Sequence, residues 1–188
     1  MFIKLLPDEE KSHLLDLARL LALSDKPLLW DGKTKDELTS RSNIDALSIQ
    51  QGELENELLS AFELSVTTSS SYRSVLFDEP IEEQLIEALK TFPFINMDSA
   101  ESRVQAATVV LKTLLEKKKA DEPTVPKIIL LQLILFTLRD GNITNIEWLL
   151  LKEIQRYYQV QDFIFDDLLK RAEVLNSEIN KTIALILE

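Results

Sequence analysis

The sequence predicts an all-α fold, a compact single-domain bundle of seven to eight helices over residues 1–188 with two pseudo-repeated Asp-Gly helix corners. Apolar residues recur at i, i+3, i+4 and i+7 in every apolar stretch, which is the spacing of one helix face. Nowhere do apolar and polar residues alternate over a convincing strand. Only three glycines interrupt the 188 residues, and 45% hydrophobic with 28% charged residues is ordinary globular usage, enough for one sizeable core.

Each element follows from local signals. Pro7-Asp8-Glu9-Glu10 is a helix start, with acids at the positive end of the helix dipole, and Leu14, Leu15, Leu17, Ala18, Leu21 and Ala22 form the first stripe. A second helix is expected after Thr34, running into Ile44-Asp45-Ala46-Leu47. A third is expected over Glu53–Leu64, with Leu54, Leu58, Ala61 and Phe62 on one side. Ser65–Ser74, rich in Ser and Thr and without a stripe, reads as a loop. Asp78-Glu79-Pro80 opens another helix, marked by Ile81, Leu85, Ala88 and Leu89 and closed at Phe92-Pro93. Asp98 is expected to cap the next, whose inward face is Val104, Ala107, Val110, Leu111, Leu114 and Leu115. Pro123 and Pro126 mark the break before an apolar helix over 127–139, and the last two helices are expected over about 144–158 and 163–187.

The apolar run Ile128–Leu138 is far shorter than the ~20 residues of a membrane span, so it predicts a buried core helix. The first residues show no long apolar stretch or small-residue cleavage site, and a cytoplasmic protein is expected.

Charge and composition exclude several functions. A net charge of −11 and a pI near 4.7 repel a phosphate backbone, so nucleic acid is not an expected partner. The basic run Lys117-Lys118-Lys119 lies directly before Asp121-Glu122 and reads as the solvated end of a helix. With no cysteine and one histidine, His13, the chain lacks material for thiolate nucleophiles, disulfides, Cys or multi-His zinc sites, or Ser-His pairs. His13 itself reads as a surface or core-edge residue. Any site chemistry falls to carboxylates.

Two of the three glycines follow an aspartate, and the match continues beyond them. Asp31-Gly32-Lys33-Thr34-Lys35-Asp36-Glu37 and Asp140-Gly141-Asn142-Ile143-Thr144-Asn145-Ile146-Glu147 both read as Asp-Gly, a short turn, then Thr-x-x-Glu. Glycine ends a helix in the left-handed conformation and Thr-x-x-Glu starts the next as a capping box, so each copy is expected to be a helix corner. On that reading Thr34, Thr144, Glu37 and Glu147 only cap. The second copy fits part of a calcium-loop pattern, but the loop's first and third ligands would be Phe136 and Leu138, which rejects an EF-hand. Capping leaves the aspartates unexplained, because a carboxylate at a helix C-terminus meets the negative end of the dipole. Asp25 ends the first helix in the same way. Clustered carboxylates are tolerable when a cation neutralises them.

With these corners the sequence resembles the tellurite-resistance protein B (TerB-like) family, whose mark is a pair of apolar helices, each ending in an Asp-Gly turn with a Glu early in the following helix. Helix 127–139, Asp140 to Glu147, and then Leu149, Leu150, Ile154, Tyr157 and Val160 are similar to the second corner. Helix 8–24 with Asp25 or Asp31-Gly32 resembles the first, with Lys26-Pro27-Leu28-Leu29-Trp30 looking like an insertion. The Ser/Thr-rich stretch near 65–74 has no counterpart. The resemblance implies a helical bundle, an acidic face that binds a divalent metal, and a tellurite-resistance-like stress response exercised through protein partners. The metal-facing positions it implies are Asp31 and Asp140, with Asp25, Glu37 and Glu147 beside them.

The leading expectation is therefore a non-catalytic, cytoplasmic TerB-like module that binds metal or a protein partner. The alternative is a helical protein-interaction adaptor with no metal site. Ile179, Ile183, Ala184, Ile186 and Leu187 make the last helix unusually apolar, which suits packing on the body, the expected outcome, or a homodimer through that helix. An enzyme built on paired carboxylates ranks third, since no glycine-rich phosphate loop and no nucleophile-base pair is visible.

Overall fold

A computed structural model describes residues 2–50, 52, 57, 59, 60, 79–118 and 122–187. Apart from residues 57, 59 and 60, the helix expected over Glu53–Leu64 and the loop expected over Ser65–Ser74 lie outside the described residues. A 3-10 turn, Phe2–Leu5, precedes helix α1 (Asp8–Ser24). Strands β1 (Leu28–Trp30) and β2 (Leu47–Ile49) flank a 3-10 turn at Lys35–Glu37. Helices α2 (Ile81–Lys90), α3 (Ala100–Glu116) and α4 (Val125–Thr137) follow, α4 running into a 3-10 turn at Leu138–Asp140, and then α5 (Asn145–Tyr157) and α6 (Asp162–Leu187).

The interior pair is α1 and α4. Helix α1 packs against α2, α3, α4 and α5, and α4 packs against α1, α5, α6 and the first 3-10 turn. Their side chains explain why they lie inside. Leu14, Leu17 and Ala18 of α1, and Ile129, Leu130, Leu133 and Ile134 of α4, are wholly buried. Each large aliphatic among them contributes about 1.5–3 kcal/mol when removed from water. Pro126 sits in the first turn of α4, where its missing N–H leaves no bond unmade.

Several expectations are corrected. No helix follows Thr34. The chain makes one 3-10 turn, and Leu47–Ile49 pairs antiparallel with Leu28–Trp30, in the register Leu28 to Ile49, Leu29 to Ser48 and Trp30 to Leu47. Three-residue strands offer too few positions for alternation to show. A two-stranded ribbon is marginal alone, and this one is held by the body. Trp30 is fully buried with its ring edge-on to Phe94 at 5.4 Å, and the Ile49 N–H donates to the Glu82 carboxylate at 3.3 Å. The cap of α3 is Ser99, whose hydroxyl accepts from the Ser102 N–H, rather than Asp98, which pairs with Arg103 at 2.8 Å. Six α-helices are described, and no helix among the described residues is long and apolar enough to cross a membrane.

Candidate functional site

The two Asp-Gly pairs adopt different backbone structures. Asp31 and Gly32 have φ of +52° and +72°, and Trp30 and Lys33 exchange both backbone hydrogen bonds across them, at 2.8 and 3.0 Å. Two successive left-handed residues inside a doubly bonded pair make a tight hairpin of the type I′ kind, for which Asp-Gly is a preferred sequence. The first pair therefore turns a strand and does not end a helix, which corrects the pseudo-repeat. Asp31 is exposed, and its backbone N–H donates to the Ala46 carbonyl at 2.8 Å. Beyond it Glu37 accepts from the N–H and hydroxyl of Thr34, at 3.0 and 2.9 Å, and these bonds hold its carboxyl below the usual range.

The second pair does end a helical segment. Gly141 takes φ +94° directly after the Leu138–Asp140 turn, and its N–H returns to the Leu138 carbonyl at 3.0 Å. Thr144 and Glu147 then form a reciprocal box. The Thr144 hydroxyl accepts from the Glu147 N–H at 3.3 Å, and the Glu147 carboxylate accepts from the Thr144 N–H at 2.7 Å. Glu147 is 8% exposed, so its carboxylate is committed to the cap from inside the protein. Of Asp140 only the backbone is described.

Asp25 caps α1 as expected, and the cation that relieves it is a side chain. Buried Arg103 of α3 donates to the carbonyls of Ser24 and Lys26, on either side of Asp25, while pairing with Asp98. Lys26 lies 4.0 Å from the Asp25 carboxylate. A guanidinium at the C-terminus of α1 answers both the dipole and the orphan carbonyls. Nothing in the sequence singled out Arg103, which sits mid-stripe on α3.

These positions belong to separate neighbourhoods. The β1–β2 ribbon packs on α2, whereas the Leu138–Asp140 turn packs on α4 and α6. Among the described residues no three His, Asp or Glu side chains gather as a metal-binding group.

His13 is 4% exposed, not at the surface, and its Nε2 lies 2.9 Å from the Tyr158 hydroxyl. Burial, with Lys118 nearby, lowers its pKa to about 4. Burial, with the Glu10 carboxylate, raises that of Tyr158. Lys118, read as part of a solvated run, instead reaches back to the start of α1, donating to the Glu9 carbonyl at 3.0 Å.

The largest departure lies in α6. Its first half docks through buried Phe165 and Ala172 and half-buried Leu168, Leu169 and Asn176, with Phe165 edge-on to Trp148 at 5.7 Å. The Asn176 amide donates to the Leu138 carbonyl at 2.8 Å, and from residue 177 to residue 187 every position is exposed. Those eleven residues carry the helix about 16 Å past its last anchor. Core packing of this end, expected from its composition, is corrected. Ile179, Ile183, Ile186 and Leu187 are 53, 49, 75 and 81% exposed. Alongside runs an open groove of about 730 Å³, lined by Leu138, Ile143, Trp148, Leu169, Asn176 and Asn180 among others.

No family model, no curated protein and no solved structure matches this chain.

Proposed function

We propose that this chain is a non-catalytic protein-interaction module whose working surface is the overhanging half of α6. One observation carries the reading. Seven large apolar side chains, Val174, Leu175, Ile179, Ile183, Leu185, Ile186 and Leu187, are 41–81% exposed along one stretch of a single helix, whereas the exposed apolar residues on the other elements are scattered singly. An apolar concentration of that kind on a folded surface marks a contact with another macromolecule. The single histidine supports a non-catalytic role, because it is buried, deprotonated at neutral pH and bonded to a tyrosine. Size-exclusion of a cell extract tests the proposal. The wild-type chain should elute in an assembly larger than its 21.5 kDa, and Ile179→Glu with Ile183→Glu should release it with an unchanged melting temperature. An unaltered elution position would overturn the reading.

A TerB-like metal module is the second reading, favoured by one geometric feature, the apolar α4 ending at Asp140 with Gly141 left-handed and Glu147 early in α5. Against it stand the cap bonds that occupy Glu37 and Glu147 and the hairpin role of Asp31. A ligand that binds only the folded chain adds ~2.7 kcal/mol at a hundred times its dissociation constant. Thermal melts with calcium, magnesium, manganese and zinc should therefore show no shift. A shift that shrinks in Asp31→Asn and Asp140→Asn would establish the metal reading instead.

A further inference from the structure

The apolar end of α6 is self-complementary. At about 100° per residue, Leu175, Ile179, Ile183 and Leu187 form one i, i+4 row, spaced evenly about Lys181. Reversing the helix about that point places Leu175 on Leu187 and Ile179 on Ile183, so the row reads the same in both directions. Rows of this spacing from two helices interdigitate at a crossing near ~50°, the commonest helix packing in globular proteins. A two-fold pair requires one surface that complements itself, and this row does.

The row also continues the face by which α6 holds its own body. Phe165, Leu168, Leu169 and Ala172 fall in the same sector of the helix, and they are buried or half-buried where the body covers them. Beyond Asn176 the face is unchanged and no described residue buries it.

Charge points the same way. A chain of net −11 repels its own copies, yet between Val174 and Leu187 the only charged residues are Glu178 and Lys181. They pair with each other at 2.7 Å on the side away from the row. The row is flanked by Asn176, Asn180 and Thr182, none of them charged. Two copies can therefore meet there without bringing like charges together. A specific interface buries about 1,000 Å² or more in total. Leu175, Ile179, Ile183, Ile186 and Leu187, each 41–81% exposed on both copies, supply surface of that order.

We infer that the partner of this surface is a second copy of the chain, bound by antiparallel crossing of the two α6 ends about Lys181. The inference rests on the interaction reading above and names its partner. Sedimentation equilibrium of the purified chain should give twice 21.5 kDa, and Ile179→Glu with Ile183→Glu should return it to 21.5 kDa with its helical circular dichroism intact.

The chain has no cysteine, so orientation can be read by oxidative cross-linking. Chains carrying Leu175→Cys mixed with chains carrying Leu187→Cys should form the mixed disulfide. Neither variant should cross-link with itself, because like positions lie about 18 Å apart in the crossed pair. Self cross-linking, or a dimer indifferent to the glutamates, would overturn the inference. So would a purified monomer, and if the extract assembly is still lost on substitution, the interaction reading survives with a different protein as partner.

Discussion

His13 shows how much one buried side chain can set. Its imidazole is buried with Nε2 against the Tyr158 hydroxyl, and Lys118 adds positive potential, so the neutral form is favoured. The pKa of the folded chain, about 4, lies below the unfolded value of 6.5. Between those pH values the unfolded chain takes up a proton that the folded chain refuses. The associated stability is therefore complete above pH 6.5 and is lost as the pH falls towards 4, about 3 kcal/mol in all. Denaturant titrations of His13→Gln, which keeps a hydrogen-bonding group for Tyr158 but does not titrate, should fall less steeply over this window than the wild type. Equal slopes would show that other groups govern the acid limb. At the same scale, Asp31 and Arg103 were hard to read for different reasons. Asp-Gly spells both a helix end and a hairpin turn, and Arg103 acquires its role from carbonyls that only folding brings to it.

Among the elements, the two Thr-x-x-Glu motifs separate by what lies behind them. Thr144 opens the thirteen-residue α5, and its box with Glu147 is largely buried, whereas Thr34 opens a three-residue turn in which Glu37 is exposed. Thr144→Ala should cost about 1 kcal/mol, the usual loss of an N-cap. Thr34→Ala should cost much less, because little helix depends on it. Urea midpoints of the two variants check the difference, and equal shifts would contradict it. Helices α1 to α6 were all legible because each repeats its apolar spacing over ten residues or more. The ribbon was not, since its strands are three residues each and its pairing joins Leu28–Trp30 to Leu47–Ile49 across the whole intervening turn.

Across the whole molecule, the sequence by itself determined the helical class, the central place of the apolar α4 and the boundaries of the last two helices to within a residue or two. These depend on periodicity and on Pro, Gly and Thr signals that act within a few residues. Tertiary structure alone decided the rest. It set Arg103 on the end of α1 and closed His13 against Tyr158. It also left the last three turns of α6 without a covering partner among the described residues. The stripe on α6 is the same before and after Asn176, so no local property separates the covered half from the exposed one. Burial of a helix face depends on what the rest of the chain brings against it, and beyond Asn176 no described residue buries this one.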